Sequence, residues 1–319
     1  MGILKLKPVG KDYLWGGNRL NEEYGKHIPM SPLAETWECS VHPDGPSMIV
    51  EGEHQGKTLD VVLKEHPEYM GTKMSNHGEL PILIKFIDAK KDLSVQVHPN
   101  DEYARIHENQ NGKTEMWYVL DAEPGAYLVY GFEHPVTENI LREAVSEGTL
   151  DKHLHKQYVK KGDVVFVPAG MVHGIGAGIL VAEIQENSNV TYRVYDYNRT
   201  DKDGNKRELH FDKAVRVMNM DEVSKNKVEP HMVRYFKGCS RELLCRCEFF
   251  ETERIAVQSE CTFDIDEESF QVILCLDGSG SMNVANDVVG FMKGDCLFLP
   301  ADSGNCNIMG DTELLKVRC

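Results

Sequence analysis

Short apolar runs broken by Gly, Pro, Asn and Asp follow one another along most of the chain. PILIKFIDA, LSVQVHP, MWYVLDA, AYLVYGF, DVVFVPAG, ILVAEIQE and VTYRVYDY fill the earlier part, and RCEFFETERIAV, FQVILCLDG and DCLFLPAD the end. Runs this short and closely spaced predict strands, and their succession predicts a mainly β fold of sandwich or barrel type. Helical periodicity is scarcer. It predicts short helices over Leu59 to Glu65, Asp101 to Glu108, Thr137 to Glu147 with Thr137 as the capping residue, and Asp212 to Met220. These read as additions to a β core.

At 319 residues the chain exceeds the usual size of one compact core. An internal repeat shows how it divides: KGDVVFVPAG at 161–170 returns as KGDCLFLPAD at 293–302. An earlier strand ending in Leu-Asp precedes each copy, WYVLDAEPG in the first and VILCLDGSG in the second. A duplicated β unit, with an insertion in the first copy that includes the helix near 137–147, accounts for both landmarks. The polar stretch DEVSKNKVEPHMVR at 221–234, with Pro230, separates the two strand-rich regions as a linker would. The expected division is a unit over 1–225 and a second over 226–319.

Charge narrows the functional classes. With 35 Lys and Arg against 51 Asp and Glu, the net charge is −16, which excludes a general nucleic-acid binder because backbone affinity needs clustered cations. An anionic small substrate would need a local basic pocket. The amino terminus carries charge too early for a signal peptide, and no uncharged apolar run approaches the ~20 residues of a membrane span, so a cytoplasmic protein without membrane association is expected. The nine cysteines are odd in number and form no CxxC pair, and several sit inside strand-like runs such as ILCL and CLFL. They read as reduced, small core residues. No P-loop or dinucleotide fingerprint occurs, and the mixed-charge stretch KDGNKRELH reads as solvated surface.

The candidate chemistry lies in the first unit. From Gly162, KGDVVFVPAGMVH fits GxxxxxPxGxxH, a motif that resembles the second motif of cupin barrels and would turn His173 into a barrel mouth. Upstream, LSVQVHPND sets Gln96 and His98 two residues apart, on one face of a strand, and GKTEMWYVL offers Glu115. Together Gln96, His98, Glu115 and His173 supply nitrogen and oxygen donors for one four-coordinate zinc ion with no thiolate. The second copy carries Asn305 where His173 would align and lacks the upstream pair, so it is expected to hold no metal.

LSVQVHPND, GKTEMWYVL, VPAGMVHGIGAG and QENSNVTYRVYDYNR resemble the signature segments of the short bacterial form of type I mannose-6-phosphate isomerases, over much of residues 1–210. The resemblance implies two cupin-like, jelly-roll β-barrels with a few helical insertions. It assigns the zinc ligands of that family to Gln96, His98, Glu115 and His173. It also implies interconversion of mannose 6-phosphate and fructose 6-phosphate through a cis-enediol, with a sugar phosphate as the partner molecule. YLWGG and AETWECSVHPDG extend the likeness, so that Trp15, Glu35, Trp37 and His42 are expected to close or brace the barrel.

Moving a proton between adjacent carbons requires a base and stabilisation of the developing oxygen charge. Glu183, ten residues before Arg193 with the spacing of that family, is read either as the general base or as a carboxylate that holds a metal-bound histidine. Arg193 and Lys113 are the catalytic and substrate-binding cations, with Lys85 as a further substrate-binding candidate. Two other readings compete: an iron-dependent cupin oxygenase, which Gln96 and the distant acid disfavour, and a sugar-phosphate-binding module without turnover.

Overall fold

The computed structural model describes residues 2–75, 78–200, 204–223 and 232–319. The chain is mainly β, and among the described residues the strands form three antiparallel sheets that do not close into continuous barrels. One six-stranded sheet runs in the spatial order Val9–Lys11, Glu35–Cys39, Ile82–Ala89, Ile179–Glu186, Glu115–Ala122 and Val164–Val167. A five-stranded sheet runs Tyr192–Tyr195, Val95–Val97, His173–Ile175, Tyr127–Phe132 and Leu154–Tyr158. The two share a core that includes Trp117, Val119, Ile87 and Val181 from the first and Leu128, Tyr130 and Ile175 from the second.

Alternation along the central strands explains why they read as continuous apolar runs. Ile82, Ile84 and Phe86, with Met116, Tyr118, Leu120, Leu180, Ala182 and Ile184, join one core on the far face of the six-stranded sheet. Ile87, Ala89, Trp117, Val119, Ile179 and Val181 join the core between the sheets. Both faces are therefore buried, and the period of two is hidden by apolar residues on each. The cleft-facing rows carry polar exceptions, Lys85, Glu115, Glu183 and Gln185, all buried, and Asp88 and Glu186 are buried carboxylates of the far face.

The third, ten-stranded sheet contains the strands from Val233–Phe236 to Gly304–Arg318, and two strands from the amino-terminal region complete it. Leu4–Lys7 pairs with Cys296–Leu299, and Met48–Ile49 pairs in turn with Leu4–Lys7. The repeated segments fold alike. In each copy a Lys-Gly-Asp turn has its glycine in the left-handed region, at φ 90° for Gly162 and 94° for Gly294. The aspartate side chain closes the turn: Asp163 accepts from the Lys160 backbone N–H, and Asp295 accepts from that of Met292, both at 2.9 Å. The strand that follows pairs in each copy with the strand bearing the Leu-Asp landmark, Val164–Val167 with Glu115–Ala122 and Cys296–Leu299 with Gln271–Val284.

Helices form at Leu59–Glu65, Asp101–His107 and Glu138–Glu147, the last capped by Thr137, whose hydroxyl accepts from the Ile140 N–H. The helix expected over 212–220 is only Phe211–Ala214; beyond it the chain turns, with Ala214 and Met218 packed against the five-stranded sheet. Most of the linker expected at 221–234 lies outside the described residues, and its end belongs to the strand Val233–Phe236. Cys39, Cys239, Cys261, Cys275, Cys296 and Cys306 are buried.

Candidate active site in the cleft between two sheets

Two strands of the five-stranded sheet and one strand of the six-stranded sheet bring the metal-donor candidates together. Gln96 sits opposite His173 in the pairing of Val95–Val97 with His173–Ile175, and opposite Arg193 on its other side. Directly opposed residues point to one face, so Gln96, His173 and Arg193 share the cleft side. His98 follows at the end of its strand, and Glu115 opens its own. The Nε2 atoms of His98 and His173 lie 3.1 Å apart. Glu115 approaches His98 Nε2 at 3.3 Å and His173 Nε2 at 3.7 Å. Ligand atoms of His98, Glu115 and His173 all fall within 4.8 Å of one another, and all three residues are buried.

The donor set fits a divalent cation. His173 Nδ1 lies 2.8 Å from the Met171 carbonyl, which turns Nε2 inward as a metal-binding imidazole requires. Burial pushes the His173 imidazole below its ordinary range and, reinforced by Lys113, brings that of His98 to about 3, so both are neutral donors at neutral pH. Burial opposes ionisation of Glu115, but the Lys113 charge, helped by a hydrogen bond from His98, outweighs it and holds its carboxyl well below the usual range. One oxygen of Glu115 is buried without a hydrogen bond among the described residues. The Lys113 ammonium itself lies among these donors, 3.0 Å from His98 Nε2 and paired with Glu115, a positive charge where the set calls for one. Gln96 presents its amide nitrogen 3.4 Å from His173 Nε2; a half-turn of the amide presents the oxygen.

Beside this cluster the six-stranded sheet carries a row of opposed residues, Lys85, Glu183 and Trp117. Glu183 accepts from Trp117 Nε1 at 2.8 Å and pairs with Lys85 Nζ at 3.0 Å. Glu35 lies 3.9 Å from the same ammonium and accepts from Trp37 Nε1 at 2.9 Å. Burial alone would lower the Lys85 pKa, but Glu183, Glu35 and Glu115 raise it above the ordinary value, so Lys85 remains charged. Trp15, Glu35, Trp37 and His42 are all buried, and the first two also line the cleft.

These groups converge on a cavity of about 250 Å³, whose walls include Gln96, Lys113, Lys85, Glu183 and Arg193. Every metal-donor, catalytic and substrate-binding candidate named from the sequence therefore meets in one cleft or in the donor cluster at its side. Sequence reasoning missed Asn189, Thr191 and above all Arg207, which also line it. Arg207 belongs to the stretch KDGNKRELH that read as solvated surface; Lys202 and Asp203 lie outside the described residues and Gly204, Asn205, Lys206, Glu208 and Leu209 are exposed, but Arg207 departs from that reading, because its guanidinium pairs with buried Asp196 and faces the cleft. The signal available was the density of Arg and Lys after YDYNR, which periodicity gives no means of orienting. Trp117 was likewise legible only as a strand residue.

A cupin-like β fold with a buried His-Glu-His cluster beside a lysine-carboxylate row defines a class, and comparison with known proteins specifies it. Residues 3–126 match the catalytic-domain model of type I phosphomannose isomerase, and residues 241–319 match the mannose-6-phosphate isomerase cupin-domain model. Mannose-6-phosphate isomerase ManA of Bacillus subtilis is 36% identical over 313 residues, 98% of this chain and 97% of that protein. The mannose-6-phosphate isomerase of Streptococcus mutans is 36% identical over 95% of this chain and 93% of its own length. The crystal structure of a Bacillus subtilis mannose 6-phosphate isomerase superposes with a TM-score of 0.93 at 34% identity, covering 99% of both chains. The chain belongs to the type I mannose-6-phosphate isomerase family.

Proposed function

We propose that the protein interconverts mannose 6-phosphate and fructose 6-phosphate, with one zinc ion held by Gln96, His98, Glu115 and His173. The observation that carries this reading is the meeting, in one cleft, of a neutral-nitrogen and carboxylate donor cluster with a buried carboxylate and three cations, Lys85, Lys113 and Arg193. Nitrogen and oxygen donors without thiolate suit zinc in a catalytic role. When bound, the ion supplies Lewis-acid polarisation of the sugar carbonyl and orientation of its neighbouring hydroxyl.

The chain's own residues supply the proton transfer. Glu183 is the general base: it takes the proton from the carbon next to the carbonyl and returns it to the former carbonyl carbon on the same face of a cis-enediol, while the hydroxyl proton passes between the two neighbouring oxygens. The Trp117 N–H bonds one of its oxygens and the Lys85 ammonium lies 3.0 Å from the other, which holds the carboxylate in place. Lys85, charged and buried, stabilises negative charge that develops on substrate oxygen. Arg193 and Lys113 offset the charge of a phosphorylated sugar in an otherwise acidic protein.

The test is isomerisation of mannose 6-phosphate by the purified protein, before and after removal of metal with a chelator and readdition of zinc. Activity that disappears and returns with zinc supports reaction and metal together. A zinc-loaded, folded protein that binds the sugar phosphate without turnover overturns the enzyme reading, and iron content with oxygen consumption replaces it by oxygenase chemistry.

A further inference from the structure

Arg207 reaches the cleft from outside the sheets. The backbone of Arg193 exchanges hydrogen bonds with His210: the Arg193 N–H donates to His210 Nδ1 at 3.1 Å, and the His210 N–H donates to the Arg193 carbonyl at 2.7 Å. A guanidinium N–H of Arg193 donates to the Glu208 carbonyl at 2.7 Å. This stitching lays the segment before His210 along the strand Tyr192–Tyr195 and brings Arg207 beside Arg193. Asp196, at 5% exposure, receives Arg207 through both carboxylate oxygens, with Nε at 2.7 Å, and also pairs with Arg199. Arg199 is spent elsewhere, on Asp196 and the Asp92 carbonyl. Arg207 is thereby held rigid.

The charges around this point do not balance within the described residues. Arg193, Arg199 and Arg207 surround one buried carboxylate, that of Asp196, while the Glu208 side chain is 82% exposed and 3.9 Å from His210. Arg193 Nε is buried with no hydrogen-bond partner among those residues. Asn189 and Thr191, neutral and capable of hydrogen bonding, line the same wall.

We propose that Arg207, positioned by Asp196, forms with Arg193 a two-guanidinium clamp for the substrate phosphate, and that Arg207 makes the enzyme selective for the phosphorylated sugar. Two planar forks present several N–H donors to a tetrahedral dianion, which balances the excess charge that the fold concentrates here. The proposal rests on the sugar-phosphate reading above. Arg207 touches the phosphate, not the reacting carbons, so it contributes uniform binding and leaves the chemical step to Glu183 and Lys85.

The experiment uses the full-length, zinc-loaded protein and its Arg207→Ala and Arg207→Lys variants, with fold verified by thermal unfolding. Rates are measured on mannose 6-phosphate and on unphosphorylated mannose, together with inhibition by inorganic phosphate. For Arg207→Ala, KM and the phosphate inhibition constant rise about ten- to hundredfold, the worth of a charge-assisted contact, while kcat stays within about threefold. Selectivity for mannose 6-phosphate over mannose falls by the same factor, and Arg207→Lys falls between wild type and alanine. Asp196→Asn, as the positioning variant, raises KM with little change in kcat, and Asp196→Glu restores part of the loss. An unchanged KM and unchanged phosphate inhibition in Arg207→Ala overturn the clamp, as does an equal loss on mannose. If wild type turns over neither sugar, the isomerase reading has failed; the clamp is then decided by calorimetric phosphate binding, weakened in Arg207→Ala if it stands and equal to wild type if it does not.

Discussion

Lys85, Glu183 and Trp117 show how a sheet turns residue identity into chemistry. Their direct opposition across three strands sets the carboxylate between an ammonium and an indole N–H, both within hydrogen-bond reach. Neither partner of Glu183 is itself a metal donor, but the Trp117 ring packs edge-on against His173 with centroids 5.4 Å apart, so metal content is measured beside turnover when Glu183 is changed. Glu183→Gln keeps the shape and the Trp117 contact and removes the base; kcat on mannose 6-phosphate falls roughly 10²- to 10⁴-fold with KM changed by no more than a few-fold. Near-normal kcat in the folded variant would remove Glu183 from the mechanism and leave it a structural partner of Lys85. At this scale the sequence was most informative where a function rests on a short motif. Gln96 and His98 share one strand face by their spacing, and His173 ends a turn-strand-bend pattern. Arg207 was hidden because no strand carries it: only the pairing of His210 with Arg193 gives it a direction.

At the scale of elements, the connection between the helix Asp101–His107 and the strand Glu115–Ala122 must deliver both Lys113 and Glu115 to the cleft. Carboxylates brace it. Asp101 accepts from the Gly112 N–H at 2.7 Å, and Glu186 accepts from the Thr114 N–H at 2.7 Å. The Ser188 hydroxyl donates to the Asn111 carbonyl at 2.8 Å. Glu186 stands on the opposite face of its strand from Glu183, as alternation predicts, and burial beside Asp101 pushes its pKa up to about 8. Because the native state then binds a proton that the unfolded chain releases near the ordinary value of ~4.3, the contribution is full below that value. It is lost as pH rises toward about 8. Buried histidines such as His98 and His173 act in the opposite direction on acidification, so the informative quantity is the difference between variants. Glu186→Gln, neutral at every pH, gains stability relative to wild type between pH 5 and pH 8.5, by of the order of a few kcal/mol in urea unfolding. A difference independent of pH would mean that Glu186 is already ionised in the native protein. The elements themselves were largely legible. The helix expected over 212–220 was not, because its apolar residues serve contacts with the five-stranded sheet after the helix has ended.

For the whole molecule, the repeat marks a duplicated unit, yet the two copies share more than a linker. Leu4–Lys7 completes the carboxy-terminal sheet, and one core joins Leu4, Leu6, Leu20, Leu63, Ile82 and Phe86 to Phe270, Val272, Leu274, Phe298, Leu315 and Val317. Polar contacts cross as well. Tyr118 donates to Glu313 at 2.8 Å, and the buried Lys26 ammonium pairs with Glu38 at 2.6 Å while also donating to the Gly294 carbonyl in the turn of the second copy. None of this is visible in local pattern, because the partners of Leu4, Lys5 and Leu6 in the second unit lie almost three hundred positions away and the amino-terminal strand carries no mark of its destination. The consequence concerns the division at 225, which we propose as a boundary of homologous units and not of independent stability. Uncovering side chains of the size of Leu, Ile and Phe costs roughly 1.5–3 kcal/mol each. Removing the second unit uncovers several of them at once, against a total stability of about 5–15 kcal/mol for an ordinary domain. Residues 1–225 expressed alone therefore fail to fold to an active, zinc-binding form although every proposed site residue is present, and co-expression with 226–319 restores activity. A soluble 1–225 fragment with full turnover would show instead that the shared core is dispensable and that the second unit has a role apart from supporting the first.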